Sequence, residues 1–272
     1  MAPRLRQICL AANEKEEAVD LLGKVFDMRP VHGSGDLSPY GLPKDGPMSE
    51  GGRSLLAQQG VENLLFAAGS DFVEILFPTQ KDTTVARYIE KRGGTGVGYM
   101  VILQDSDLTP YSSSAEQAKV RIIHEARYPA YADIQFHPKD AGGALLSVSS
   151  NLPDNIAGGA WYPAGAAWES MRPSSRISAI AGVQIASEQP SDLARRWAKL
   201  LCYSAISSAD EWHIQLNSAS LRFSQAYDDK GFVGVDLQSI DSEAVLSSAR
   251  KAGLDVLGDT IQCLGISWRL VA

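Results

Sequence analysis

Val73-Glu74-Ile75-Leu76-Phe77-Pro78 alternates with a period of two: Val73, Ile75 and Phe77 fall on one face, Phe72, Glu74 and Leu76 on the other. That is the pattern of a strand with one aliphatic and one mixed face. Three more apolar runs behave alike. Arg6-Gln7-Ile8, Gly98-Tyr99-Met100 and Leu146-Ser147-Val148 each set one non-aliphatic residue opposite the aliphatics. Four strands that each carry one odd residue predict a polar site inside an apolar shell.

Residues 4–11 place Ile8 and Leu10 opposite Gln7, Cys9 and Ala11. Asn13 and Glu16 have the spacing of a helix capping box. Ala18, Leu21, Leu22, Val25 and Phe26 then recur at helical intervals. Strands near 62–67 and 71–78 flank Gly69-Ser70, a hairpin signal, and a short helix near 83–92 ends at Gly93-Gly94. The order then restarts with a strand at 97–104, a helix around Ser114–Ala118, and strands at 121–125, 132–137 and 144–149. After a break at 150–175 it runs twice more, with helices carrying Leu193, Trp197, Leu200 and Leu201 and, later, Asp241 or Ser242 to Lys251.

Four β-α-β-β-β units in series are an internal repeat, which outranks local assignments. The expected fold class is therefore α+β: tandem βαβββ modules forming two cup-shaped domains. Residues 1–150 make the first domain, 151–176 an aromatic-rich linker with Trp161, Tyr162 and Trp168, and 177–272 a shorter second domain. Flexible linkers rarely carry three large aromatics, so this one is expected to lie against a domain. The Gly- and Pro-rich stretch 33–52 has the length of a lid.

The 272 residues are 44% hydrophobic and 21% charged, an ordinary globular composition. A net charge of -7 with a pI near 5.2 argues against nucleic acid, which needs a concentrated basic face. Cys9, Cys202 and Cys263 are odd in number and widely spaced, neither a disulfide framework nor a zinc pattern. No apolar stretch approaches the ~20 residues of a membrane span, and no secretory leader is apparent. The expectation is a cytoplasmic monomer or homodimer whose partner is a small molecule, not a nucleic acid or a membrane.

Val73–Pro78, the segment Thr84-Val85-Ala86-Arg87-Tyr88-Ile89-Glu90-Lys91-Arg92-Gly93, Gly96-Val97-Gly98-Tyr99-Met100 and the turn His137-Pro138-Lys139-Asp140-Ala141-Gly142-Gly143 together resemble the methylmalonyl-CoA epimerase branch of the vicinal oxygen chelate superfamily. That superfamily also includes glyoxalase I, extradiol dioxygenases and bleomycin-resistance proteins. The resemblance covers 4–150, and 177–272 more loosely through Ala181–Ala186 and Trp268–Val271. It implies one divalent metal held by a ligand from each of four strands, typically His, Gln or Glu, His and Glu, and proton-transfer chemistry built on that metal. The matching positions here are Gln7, Glu74, Tyr99 and Ser147. Only Glu74 is a good ligand, since amide and hydroxyl oxygens hold transition metals weakly. No cofactor is expected. A divalent metal at Glu74, helped by His32 or His124 and waters, stays open as an alternative.

Glu74 is the candidate general base and Tyr99 the candidate oxygen-polarising acid. Gln7, Ser147, His124 on a cup strand and His32 beside the long loop are candidate substrate-binding residues. The competing account makes Glu74 a structural remnant hydrogen-bonded to Gln7 and Tyr99. In the second domain Ala181, Arg222, Val233 and Arg269 take the matching positions. The two inward arginines either clamp a ligand carboxylate or phosphate or pair with a local acid such as Asp236. The leading expectation is a glyoxalase-like lyase or isomerase acting on a small oxygenated metabolite in the first cup, without the family metal. The rivals are a non-catalytic binding or sequestering protein of bleomycin-resistance type and a metal-dependent epimerase with a rearranged ligand set.

Overall fold

A computed structural model describes residues 3–43, 50–94, 96–152, 158–165, 168–171 and 173–272. The first half runs β1 (Arg4–Ala12), α1 (Lys15–Phe26), β2 (Pro30–Gly33), α2 (Glu50–Gln58), β3 (Val61–Ala68), β4 (Asp71–Pro78), α3 (Thr84–Lys91), β5 (Gly96–Gln104), α4 (Thr109–Ala118), β6 (Ile122–Tyr128), β7 (Tyr131–Phe136), α5 (Pro138–Ala141) and β8 (Leu145–Asn151). The second runs β9 (Ile177–Ser187), α6 (Pro190–Leu201), β10 (Ile206–Ser208), β11 (Glu211–Gln215), β12 (Ser220–Gln225), β13 (Gly231–Ser239), α7 (Ser242–Lys251), β14 (Val256–Leu257), β15 (Thr260–Cys263) and β16 (Ile266–Val271). Each half closes into an eight-stranded sheet, β2-β3-β4-β1-β5-β8-β7-β6 and β10-β11-β12-β9-β13-β16-β15-β14. The two orders are equivalent strand for strand, so the repeat read from alternation is the architecture: two tandem βαβββ pairs, each a cup.

The aliphatic face of every central strand turns toward the helices. Ile8, Leu10, Val73, Ile75, Val101 and Val148 join Leu22, Phe26, Trp197, Val235 and Trp268 in one buried core that spans both halves. Helix α1 packs on α7, and α4 on α6, between the sheets. Phe26 and Trp268 meet at 5.0 Å between ring centroids across this boundary. The concave faces point away from the shared core, which leaves them available for a site.

Two β-bulges change which residues reach the first concave face. In the β1–β5 ladder Leu5 pairs with Leu103 and Gln7 with Ile102, so Arg6 is an extra residue. Further along, Cys9 pairs with Met100 and Leu10 with Gly98, which makes Tyr99 extra. A bulge reverses the alternation locally. Arg6 therefore joins Gln7 and Cys9 on the concave side, and Met100 joins Tyr99 there.

Two local expectations are corrected. Asn13 does not cap α1, which begins at Lys15 without a side-chain cap. The Asn13 amide instead donates to the Gly94 carbonyl at 3.0 Å, tying β1 to the end of α3. The start of the 33–52 stretch is not a lid. Leu37 is buried in the shared core, and Tyr40 lies under the Lys15 ammonium, 5.9 Å from its ring centroid. The remainder of that expectation falls largely on 44–49, outside the described residues.

The halves approach closely at glycines, Gly96 and Gly98 of β5 among them. A Cβ on Gly98 would lie 2.4 Å from the Phe232 carbonyl oxygen, whereas one on Gly23 of α1 would meet nothing closer than 3.8 Å. Gly98→Ala is expected to cost about 3 kcal/mol, since neighbouring backbone must shift. Gly23→Ala should be neutral or stabilising by up to about 1 kcal/mol. Urea unfolding midpoints of the two variants measure the contrast.

Candidate functional site

The concave face of the first sheet is covered at both ends. At one end α3 lays Val85 and Ile89 against Ala11 and Val97, with Leu56 of α2 beside them. At the other, the linker enters the cup as a strap. Trp161, Ala164 and Trp168 pack on Cys9, Val31, Leu65, Phe72, Met100 and Ile102. Trp161 is fully buried. Between strap and α3, Glu74, Leu76 and Tyr99 keep partial solvent access.

Glu74 sits at the floor of this window and accepts from two amides. Gln7 Nε2 donates to its Oε2 at 2.8 Å, and Asn63 Nδ2 donates to its Oε1 at 2.7 Å. The orientation of each amide is fixed from behind. Trp161 Nε1–H donates to Gln7 Oε1 at 2.6 Å, and the Ser34 backbone N–H donates to Asn63 Oδ1 at 3.0 Å. An indole N–H and a peptide N–H can only donate, so neither amide can flip. Glu74 must therefore present acceptors on both oxygens. Burial raises its proton affinity, and the donors from Asn63, Gln7 and Cys9 offset part of that rise.

Tyr99 shares the concave face but makes no hydrogen bond to Glu74. Its ring packs edge-on against Tyr88 at 5.6 Å between centroids. Its hydroxyl has no hydrogen-bond partner among the described residues, and burial pushes its pKa up to about 12. Ser147 belongs to a second cluster in the other half of the cup. It donates to Asp133, as does Ser149 at 2.7 Å, while Gln135 Nε2 donates to the other Asp133 oxygen at 2.8 Å and Tyr131 donates to Ser149 at 2.9 Å. His32 lies on β2, 4% exposed, with Nδ1 unpartnered. Burial holds its pKa down at about 4. His124 pairs with Gln135 but is exposed on the edge strand β6, away from Glu74.

In the second cup Arg222 and Arg269 do meet, and both are engaged. Arg222 Nε and Nη2 donate to the two oxygens of Asp236 at 2.8 Å each. Arg269 Nε and Nη2 donate to the same carboxylate at 2.8 and 2.9 Å. Arg222 Nη1 also reaches Glu211 at 3.1 Å. Two arginines and two acids leave this cluster neutral, with no spare charge for a ligand. The substrate-clamp expectation for the pair gives way to the local-acid one.

Set against a divalent metal, Gln7, Glu74, Tyr99 and Ser147 do not fit as a ligand set. The Gln7 oxygen is taken by an indole N–H, the Ser147 hydroxyl donates to Asp133, and the Tyr99 phenol holds its proton. No group of three or more His, Cys, Asp or Glu converges as a metal site among the described residues. No helix of the described residues is long and apolar enough to cross a membrane.

Reading four odd residues missed Asn63, Asp133 and Arg6. Asp133 was visible: Tyr131, Asp133 and Gln135 alternate against Ala132, Ile134 and Phe136. Asn63 interrupts a leucine-rich strand in the same way. Arg6 carried no such signal, because only the bulge turns it inward.

The fold and these two cups define a protein of vicinal-oxygen-chelate architecture, with two tandem cup domains in one chain. Among solved structures it is similar to a hypothetical protein from Staphylococcus aureus, at TM-score 0.65 and 10% identity over 99% of both chains. It is also similar to a mutant 4-hydroxymandelate synthase from Streptomyces coelicolor, at TM-score 0.62 and 13% identity over 93% of this chain and 75% of that one. Methylmalonyl-CoA epimerase from Mycobacterium tuberculosis matches 55% of this chain and 89% of its own at 20% identity, with a TM-score of 0.41. At these identities the likeness is one of fold. No protein-family model matches the sequence, and no curated protein does either.

Two measurements test the electrostatics. His32 binds fewer protons folded than unfolded between pH 4 and 6.5. Its contribution is thus fully present above about pH 6.5 and lost as pH falls through 4. Relative to His32→Gln, the wild type should lose at most about 3 kcal/mol of unfolding free energy between pH 7 and pH 4. Asp236→Asn should cost about 3 kcal/mol at pH 7, because it removes the carboxylate that takes four hydrogen bonds from Arg222 and Arg269 and leaves buried Arg222 only Glu211; a midpoint unchanged in urea would refute that structural role.

Proposed function

We propose that the first cup binds a small oxygenated metabolite and acts on it by acid–base chemistry, as a glyoxalase-like lyase or isomerase that does not depend on the family metal. The observation that carries this reading is the locked amide pair, which holds both Glu74 oxygens as acceptors in an apolar, partly accessible cup. A carboxylate with raised proton affinity is a better base than one in water. Glu74 takes a proton from a carbon next to a carbonyl. Electron density moves onto the carbonyl oxygen, and the Tyr99 phenol donates a hydrogen bond to it. Return of the proton to the other face or to a neighbouring carbon gives the isomer. Turnover should rise as pH climbs through the raised Glu74 value and fall only when Tyr99 ionises, near 12.

A second reading is favoured by a different observation. Trp161, Trp168 and Phe72 line one end of the cup, and an aromatic cup suits a protein that binds or sequesters without turnover. One experiment separates the two. A panel of small 2-oxo and 2-hydroxy carbonyl compounds is incubated with the protein in deuterated water, and exchange of the carbon-bound proton is followed by NMR. The acid–base reading expects wash-in by the wild type, its loss in Glu74→Gln, and a drop of roughly 100-fold in Tyr99→Phe. Ligand affinity with no wash-in, or wash-in undiminished in Glu74→Gln, would sink that reading and leave the binding protein.

A further inference from the structure

Arg6 has no part in the acid–base reading, yet the bulge sets it on the concave face. It is 0% exposed. Its guanidinium carbon lies 5.4 Å from the Phe72 ring centroid, 5.5 Å from Trp161 and 5.9 Å from Trp168. One nitrogen, Nη2, donates to the Gly159 carbonyl of the strap. The other two, Nε and Nη1, have no partner among the described residues, and neither does the indole Nε1 of Trp168. Buried N–H donors of two side chains thus face one aromatic cluster without an acceptor among the described residues.

Buried donors normally find acceptors, and a buried charge normally finds its opposite. Burial brings the Arg6 pKa down only to about 10, so the side chain is a cation at neutral pH. The two acids that influence it are not available as contacts. Asp71 is bonded to Arg4 at 2.6 Å and to the Ile180 amide at 2.9 Å, and Glu169 is exposed. Among the described residues no acid is free to meet these donors, an arrangement suited to an anion from outside.

We propose that Arg6 and the Trp168 indole bind the carboxylate of a small monoanionic ligand in the first cup. One fixed positive charge is neutralised by one negative charge. A phosphate dianion would leave surplus negative charge in a cup that already holds Glu74 and Asp133. The flanking rings offer apolar contact to the body of the ligand. The inference rests on the first cup being a small-molecule site, but not on the chemistry assigned to Glu74.

Calorimetry and tryptophan fluorescence of the full chain, titrated with benzoate, acetate, benzamide, chloride and inorganic phosphate, test it. Benzoate should bind and perturb tryptophan emission, and the uncharged benzamide should bind at least about 30-fold more weakly. Arg6→Met should weaken benzoate by a similar factor, and Trp168→Phe, which keeps a ring but removes the N–H, by roughly 5-fold. If Arg6→Met does not fold, Arg6→Lys carries the test, with an affinity between wild type and benzamide level. Equal binding of benzoate and benzamide, or benzoate affinity untouched by the folded Arg6 variant, overturns the proposal. So does saturation by chloride or phosphate with no response to either carboxylate. Benzoate binding without deuterium wash-in defeats only the acid–base reading; wash-in without carboxylate affinity defeats only this one.

Discussion

Gly98 lies against the backbone of Phe232, and the absence of a side chain there lets β5 of the first sheet approach β13 of the second. That approach decides how the faces of both sheets are used. A twisted sheet with one aliphatic face must cover it, and here each half covers the other's with four helices between them. The concave faces are then free of structural duty at their centres. In the stretch Gly98-Tyr99-Met100 the two roles sit on adjacent residues. Gly98 serves the contact between halves, and the bulge at Tyr99 turns the following pair toward the cup.

Most of the architecture was legible because a period of two is written directly in the residues. Val73, Ile75 and Phe77 against Phe72, Glu74 and Leu76 can be read in only one way, and the order of elements repeats four times. The proximity of Gln7 to Glu74 was legible for the same reason, as both oppose aliphatics on strands the repeat brings together. Other features were not. A bulge inserts one residue without altering composition, so Arg6 read as a neighbour of the site rather than a member. The partner of Ser147 lay on β7, whose alternation was overlooked. Asn13 had the chemistry of a cap, but its amide finds a tertiary acceptor instead. The linker's aromatics signalled contact with a domain, and nothing in the chain says that a concave face, not a flat one, receives them.

The two cups handle buried charge in opposite ways. In the second, Asp236 takes four hydrogen bonds from two arginines. A carboxylate so paired is stable and chemically quiet. In the first, Glu74 is served by neutral amides, and Arg6 is surrounded by rings. Opposite charges that do not neutralise each other remain available to a third party. The same fold thus carries one cup closed by ion pairing and one whose carboxylate and guanidinium are not paired with each other.

The strap is also the covalent connection between the halves. Its exit is anchored at once, by Ser174 on the Phe26 carbonyl and Arg176 on the carbonyls of Lys24 and Val25. Trp161 therefore never leaves the neighbourhood of Gln7, whatever the dilution of the protein. For any molecule seeking the same seat it is an intramolecular rival, present at an effective concentration set by tether length and on the order of millimolar. Occupancy of the cup is thus coupled to the integrity of the linker as well as to the cup wall, since a cut tether would let that rival leave.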